Sequence, residues 1–384
     1  MKVYLDNAAT TSIDKRVLDE MLPYLENHFG NPSSTHSHGR VIKAAIEKSR
    51  KKVAELLHAN PSEIFFTSGG TESDNTAIRS NVNSGKVNHI ITSKLEHHAV
   101  LHTVEELERK GKIKATYLNF DKKGNIDINQ LEDLLKDSEG ILVSLMHGNN
   151  EIGNILDIEK VASLCKEYGA IFHSDTVQTV GHFNLDLSTL NIDYIAASAH
   201  KFHGPKGVGI LYMNKNSKTV PFITGGSQER EMRGGTENVY GIVGLAKALE
   251  LALSDLDSHT KHIKALKRRM IQNLSNSVEG ISFHGNSDDL NNSLYTVLNV
   301  SLPESPANSM LLFNLDLMGI SASGGSACSS GALTGSHVIS ALRKGEENNN
   351  GVIRFSFSKY NTFEEIDYTV LQLQTLFANS KVAN

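Results

Sequence analysis

The chain has 384 residues, of which 39% are hydrophobic and 21% are charged, and its formal net charge is −5. These values are typical of a globular protein with room for two domains, and the acidic excess argues against a broad nucleic-acid-binding surface. Because 2 cysteines are too few for a disulfide framework, the N-terminus shows no signal-peptide pattern and no apolar run is long enough to span a bilayer, we expect a cytoplasmic protein with no membrane partner.

Short apolar runs alternate with stretches of helical spacing from about residue 63 to 212. Helical spacing is clearest over 99–110 and 157–168. The alternation predicts βαβ units, and therefore an α/β fold with a mostly parallel sheet flanked by helices. The apolar runs are "EIFFTS", "HIITS", "ATYL", "ILVSLM", "AIFHSD", "DYIAAS" and "VGILYM".

A long predicted helix over roughly 238–254 closes this region, and longer loops, the strand "VIRFSFS" and a final helix follow. We predict a large domain over 15–255 and a smaller α+β domain over 256–384, with the segment 1–14 packing against the smaller one. A basic run within the second region is interpreted as a solvated helix end. Its residues are Lys264, Lys267, Arg268 and Arg269.

Polar residues capable of chemistry follow four of the apolar runs directly. Because the carboxyl ends of parallel strands meet at one edge of a sheet, and ligands bind at that edge, we expect these side chains to lie in one site. The four residues are Thr71, Asn150, Asp175 and Lys201.

The stretches around Lys201 and Thr71 each have an ordinary and a functional interpretation. In "SAHKFHGPKG" the lysine could be a surface residue on a loop, or it could form a Schiff base with a carbonyl cofactor. In "TSGGTESDN" the glycines and Thr71 could cap a helix, or they could bind a phosphate at the helix start. The dinucleotide fingerprint and the GxxxxGK[ST] loop are both absent, so the sequence gives little support to NAD or ATP.

Acidic and imidazole groups stand at the ends of two of the predicted strands. Asp175 could cap a helix or pair with a pyridinium nitrogen, and with His173 on the same strand face it could contribute to a metal pair. No third ligand follows from local spacing, so no metal site is predicted. Of His97 and His98 in "LEHHAV", one could stack on a flat ring or move protons.

Two more residues complete the set of candidates. Cys165 lies on the apolar stripe of a predicted helix and is interpreted as a core residue. Arg354 lies among apolar residues in "VIRFSFS", and a buried arginine needs an anionic partner. A substrate carboxylate suits the paired N–H donors of its planar guanidinium group.

Ten motifs in order resemble the class V aminotransferase family of fold-type-I pyridoxal-phosphate enzymes. Within that family the chain is most similar to the cysteine desulfurases of the NifS/IscS type. The motifs span residues 4 to 356, nearly the whole chain. They are "YLDNAATT", "GNPSSTH", "TSGGTESDN", "EHHAVL", "MHGNNEIG", "HSDTVQ", "SAHKFHGPKGVG", "MRGGTENV", "GGSACSSG" and "IRFS".

The resemblance implies a role for each cofactor-binding residue. Lys201 would form the Schiff base with pyridoxal 5'-phosphate, Asp175 would pair with the pyridine nitrogen, and His97 would stack on the ring and act in catalysis. Asn150 and Gln178 would bond the phenolic oxygen of the cofactor. The phosphate would be held by Gly70, Thr71, Ser198 and His200, joined by Thr236 from the second subunit of a homodimer.

The resemblance also implies the substrate chemistry. Arg354, helped by Asn150, would bind the carboxylate of L-cysteine, and Cys328 in the small-residue loop 323–336 would accept the sulfur as a persulfide. The product would be L-alanine, and the sulfur would go to an acceptor such as an iron-sulfur scaffold protein. The alternatives are another pyridoxal-phosphate enzyme, such as a selenocysteine lyase or aminotransferase, and an inactive scaffold homologue.

Two features of the sequence bear on the subtype and on the sulfur acceptor. The chain ends in "FANSKVAN" soon after the last predicted helix, which favours NifS-like or more general sulfur delivery. The cysteine motif "GGSACSSG" is the longer-loop form and differs from the "HHCA" form of SufS-type enzymes. The sequence leaves open the acceptor, the use of selenocysteine, and whether Cys328 also ligates a transferring iron-sulfur cluster.

Overall fold

A computed structural model describes residues 1–136, 139–217, 219–324, 335–344 and 350–382, with the backbone alone from 378. No helix in these ranges is long and apolar enough to cross a membrane. The helices α1 to α11 are Lys15–Glu26, Ser37–Leu56, Gly70–Asn83, His98–Arg109, Ile128–Lys136, Ile158–Glu167, Val239–Ser254, Leu256–Ser277, Leu311–Leu317, His337–Leu342 and Phe363–Val382. The strands β1 to β12 are Val3–Tyr4, Ile64–Thr67, His89–Ser93, Lys114–Leu118, Ile141–Ser144, Ile171–Asp175, Tyr194–Ser198, Gly209–Met213, Ser282–Phe283, Val297–Leu302, Ile320–Ser321 and Gly351–Ser356.

Within the described ranges, seven strands form the central sheet in the order β2-β8-β7-β6-β5-β3-β4. Only β8 runs antiparallel to its neighbours in this sheet, as described. The predicted α/β fold with a mostly parallel sheet is therefore confirmed. The carboxyl ends of β2, β3, β5, β6 and β7 consequently lie at the same edge.

The central strands are buried on both faces, which explains why they read as continuous apolar runs instead of alternating ones. Phe172 of β6 and Ile195 of β7 belong to the larger hydrophobic cluster, together with residues of α2 and α7. Ile90 of β3 packs on the other side with Ile78 of α3 and Val100 of α4. Helices on both faces thus keep water from the central strands, and the loops at the strand ends are where a ligand can reach the sheet.

The C-terminal part has a second apolar core. β10 lies between β9 and β12, and α8 and α11 pack on this sheet through residues such as Leu266 and Leu373. β1 pairs in parallel with β11, and Leu5 is buried in the same core. The N-terminal segment therefore contacts the C-terminal part, while the domain boundaries at 15 and 256 stay predictions.

The interpretation of the basic run as a solvated helix end is wrong for Lys267. The run lies in the body of α8, and helical spacing places Lys267 on the same face as Ile263 and Met270, which are buried. Its Nζ donates to Ser293 Oγ and to the Leu294 carbonyl, both at 2.8 Å. Burial lowers the pKa of Lys267 to about 7.

Lys267 should make the stability of the protein depend on pH in the alkaline range. Between about pH 7 and the ordinary lysine pKa of 10.5, the unfolded chain holds a proton that folded Lys267 has lost, so stability rises with pH. Lys267→Met removes this contribution. In urea titrations, the unfolding free energy of the wild type relative to that of the variant should rise by about 3 kcal/mol from pH 7 to pH 9.5. Lys261→Met on the exposed face of α8 is the control, and equal pH dependence in all three proteins would contradict the assignment.

Candidate active site

A cavity of about 330 Å³ opens at the carboxyl edge of the central sheet. Residues predicted from five separate strand ends and from β12 line it together, although they are far apart in sequence. The predicted residues that line the cavity are Gly70, Thr71, His97, Asn150, Asp175, Gln178, Ser198, His200, Lys201 and Arg354.

Lys201 stands at the end of a short 3-10 turn that directly follows β7. Its Nζ donates to the carbonyls of Ala8 and Ala9 at 2.6 and 2.9 Å. Gln178 Nε2 donates to the same Ala8 carbonyl at 3.1 Å. The N-terminal segment therefore lies against the lysine and forms one wall of the cavity.

Asp175 ends β6 inside the cavity and is almost fully buried. Its carboxyl accepts the N–H of Val177 at 2.9 Å, and the residues that follow form turns instead of the helix that a capping role would require. Burial raises the pKa of Asp175 to about 6, against the opposing effects of this hydrogen bond and of Lys201. A cationic ring nitrogen placed here would stabilise the ionised carboxyl.

His173 lies behind Asp175 on the same face of β6 and belongs to a buried polar pair. Its Nδ1 bonds the hydroxyl of Ser144 at 2.9 Å, and its Nε2 lies 3.3 Å from Asp74. Burial lowers the pKa of His173 to about 3 and raises that of Asp74 well above its ordinary value. No group of three or more potential metal ligands occurs in the described part of the chain.

The N-terminus of α3 lies at one end of the cavity. Gly69 has a φ of 151°, and a Cβ built on Gly70 would lie 2.5 Å from Val177 Cγ2, so only glycine fits this turn without a shift. Backbone N–H groups at a helix start attract anions. His200 bonds Thr10 Oγ1 at 3.1 Å, and burial lowers its pKa to about 4, so it is a neutral imidazole near pH 7.

His97 is the N-cap of α4, and its Nδ1 accepts the N–H of Ala99 at 3.1 Å. Burial and the charge of Lys201 lower its pKa to about 4. The neutral ring therefore carries its proton on Nε2. A base role at Nδ1 would require the helix to lose its cap.

Arg354 has an anionic partner within the chain, which the sequence did not indicate. Its Nη2 donates to Asp6 at 2.8 Å and its Nη1 to the backbone carbonyl of Asn150 at 3.0 Å. Its Nε is buried and has no hydrogen-bond partner among the described residues. A substrate carboxylate would therefore share this guanidinium with Asp6.

Two predicted residues lie outside this cavity, and a third is not among the described residues. Thr236 is exposed and lines a separate cavity of about 100 Å³, so its predicted contact with the phosphate of a second subunit stays a prediction. Cys328 lies outside the described residues, as does most of the loop 323–336. Cys165 is a core residue as predicted, and burial raises the pKa of its thiol to about 12.

Several cavity residues were not predicted from the sequence. Asp74 follows Gly70 by one helical turn, and that spacing could have indicated a shared face. Glu151 and His337 also line the cavity, but they come from a loop and from the start of α10, and no local pattern marks them.

Comparison with known proteins agrees with this geometry. Residues 3–369 match the model of the family "Aminotransferase class-V". The chain is 45% identical to "Cysteine desulfurase IscS" of Dictyoglomus turgidum over 98% of its own length and 94% of that protein. A solved structure titled "NIFS-LIKE PROTEIN" has a TM-score of 0.90 and 39% identity, covering 99% of this chain and 100% of that one. Another, "SspA in complex with cysteine", has a TM-score of 0.80 and 32% identity, covering 94% and 100%.

Gly70→Ala should weaken binding of pyridoxal 5'-phosphate to the apoprotein by about tenfold or more, because the added methyl meets a β-branched side chain at the helix start. Val177→Ala alone should bind nearly as well as wild type, and combining both substitutions should restore much of the lost affinity. Equilibrium titration followed by absorbance measures all four proteins. Equal affinity for Gly70→Ala and wild type would show that this turn does not hold the phosphate.

Proposed function

Because the chain belongs to the class-V aminotransferase family, and within it to the cysteine desulfurases of the NifS/IscS type, we propose that it removes sulfur from L-cysteine and carries that sulfur as a persulfide on Cys328. The protein is a pyridoxal-phosphate-dependent enzyme that forms L-alanine. The observation that carries the proposal is the position of Lys201, which leaves a central strand and enters a cavity with buried Asp175 and Arg354 on its walls.

The residues of the cavity fit pyridoxal 5'-phosphate. The helix start at Gly70, with Thr71, Ser198 and His200 nearby, suits a phosphate, and the buried Asp175 suits a pyridinium nitrogen. When bound, the cofactor withdraws electrons from the substrate and so weakens bonds near its amino group.

The chain's own residues would orient the substrate and control protons around that cofactor. We assign Lys201 to holding the cofactor aldehyde and Asp175 to keeping the ring nitrogen protonated. The ring of His97, neutral near pH 7, covers one side of the cavity and suits stacking on an aromatic ring. Arg354 would take the substrate carboxylate through its Nε and Nη groups, with Asn150 beside it.

The remaining assignments concern partners and location. We propose a homodimer in which Thr236 reaches the phosphate of the neighbouring subunit, and its exposure is compatible with such a contact. We also propose a cytoplasmic enzyme that passes its persulfide sulfur to an acceptor for iron-sulfur clusters or other thio-cofactors. The relatives named for IscS support this use of the sulfur.

Cys328→Ser tests the proposed function because the serine keeps the size of the side chain and removes the soft nucleophile. Release of L-alanine from L-cysteine, with no keto acid present, should fall by roughly 100-fold or more, while the yellow colour of the bound cofactor remains. In the wild type treated with cysteine, mass spectrometry should place one additional sulfur on the peptide that contains Cys328.

Cys165→Ala is the matched control, because Cys165 is the other cysteine and is buried in the core. It should release alanine at nearly the wild-type rate. Additional sulfur on Cys165, or full activity in Cys328→Ser, would refute the assignment of the nucleophile, and a wild type that forms no alanine would refute the activity.

A further inference from the structure

A group of imidazoles lies at one side of the cavity, and only His97 of this group was assigned above. His98 stacks on His102 and on His337, with ring centroids 4.4 and 4.3 Å apart. His98 and His337 line the cavity, whereas His102 is exposed. The chemistry that these rings offer depends on which nitrogen of each carries a proton.

The tautomer of His337 follows from a single contact. Its Nε2 lies 2.9 Å from the backbone carbonyl of Glu96, and a carbonyl can only accept, so Nε2 is the donor. In the neutral ring, Nδ1 is then a lone-pair acceptor. It is buried and has no hydrogen-bond partner among the described residues. His337 therefore presents a basic nitrogen that no hydrogen bond within the described chain uses.

Glu151 is placed to stabilise a proton on that nitrogen. Its Oε1 lies 3.9 Å from His337 Nδ1, and its side chain is almost fully buried, so their attraction is only weakly screened. The other carboxyl oxygen accepts the hydroxyl of Ser336, which fixes the group beside the start of α10. The Glu96 carbonyl thus orients the ring through Nε2, as a third group orients the base in nucleophilic catalysis, and Glu151 lies near the other nitrogen.

The neighbouring imidazoles are less suited to this role. His97 uses its Nδ1 to cap α4. Burial and the proximity of His337 and His102 lower the pKa of His98 to about 4. Protonation of His98 to a charged imidazolium is therefore disfavoured beside these rings. The ionisable groups around His337 are Glu96, His97, His98, His102 and Glu151, with Lys201 and Arg354 elsewhere on the cavity wall.

We propose that His337 is a further catalytic residue, whose Nδ1 takes the proton of the thiol that attacks the sulfur of bound cysteine, with Glu151 as the positioning residue that stabilises the resulting imidazolium. The proposal rests on the desulfurase function above. A thiol needs such a base because the thiolate is the nucleophile and an ordinary thiol pKa of about 8.5 leaves little of it at neutral pH.

The step balances without an added oxidant or reductant. The S–H bond of the attacking thiol breaks, its proton goes to Nδ1 and its electron pair forms the new S–S bond. The Cβ–S bond of the substrate breaks, and its electron pair remains on the carbon side. One proton returns from His337 to Cβ, so that the products are the methyl group of alanine and an enzyme persulfide.

His337→Gln tests the role because glutamine can still donate an N–H to the Glu96 carbonyl but is not a base. With the holoenzyme and L-cysteine, alanine release should fall by roughly 100-fold or more, while cofactor absorbance and KM stay within about threefold. The fall in alanine release at acidic pH that the wild type shows, the acidic limb of its pH profile, should be absent from the variant. Added imidazole should restore part of the variant's rate. A purely structural role would give neither the change in pH profile nor the rescue.

Two further variants define the controls. His102→Gln removes an imidazole that does not line the cavity, and its rate should stay within about twofold of wild type. Glu151→Gln should move the acidic limb to lower pH, because a carboxyl group that favours the imidazolium has been removed. This shift tests the role of His337 as a base even if His337→Gln fails to fold.

The outcomes separate the two hypotheses. If the wild type releases alanine and His337→Gln keeps both its rate and its acidic limb, the role of His337 is overturned and the desulfurase function stands. An unmoved limb in Glu151→Gln likewise overturns the role of the carboxyl group. If the wild type releases no alanine at any pH, the proposed function fails and this proposal fails with it.

Discussion

The burial of a carboxyl group at the end of a central strand is the constraint on which the rest of the site depends. Asp175 lies at the end of β6, where the surrounding strands exclude water and burial raises its pKa to about 6. An ionised carboxyl in such a place needs a cationic partner. Lys201 supplies part of that charge in the protein alone, and a pyridinium nitrogen would supply the rest.

Completing the cavity requires parts of the chain that are distant from the central sheet. The carbonyls of Ala8 and Ala9 hold the amine of Lys201, and Asp6 pairs with Arg354 of β12. The N-terminal segment thereby connects the lysine side of the cavity with the arginine side. β1 also pairs in parallel with β11. One short N-terminal segment therefore contacts both Arg354 and Lys201.

The parts of the structure that could be predicted are those with local causes. Continuous apolar runs identified the strands, and the rule that parallel strands share one edge placed Thr71, Asp175 and Lys201 together. Contacts across long sequence separations gave no local signal. Neither the partner that Asp6 offers to Arg354 nor the burial of Lys267 against residues 293–294 can be read from the neighbouring sequence. His337 and Glu151 were missed for the same reason, because their proposed roles depend on contacts with each other and with Glu96.

We propose that Lys201 delivers its amine from the edge of the sheet to the aldehyde of pyridoxal 5'-phosphate. Reducing the holoenzyme with borohydride converts such a Schiff base to a stable secondary amine, and peptide mapping by mass spectrometry then locates it. We expect the pyridoxyl label on Lys201 and on no other lysine of the stretch "SAHKFHGPKG". A label on Lys206 with Lys201 unmodified, or no covalent label in a protein that has bound the cofactor, would show that Lys201 does not hold the aldehyde.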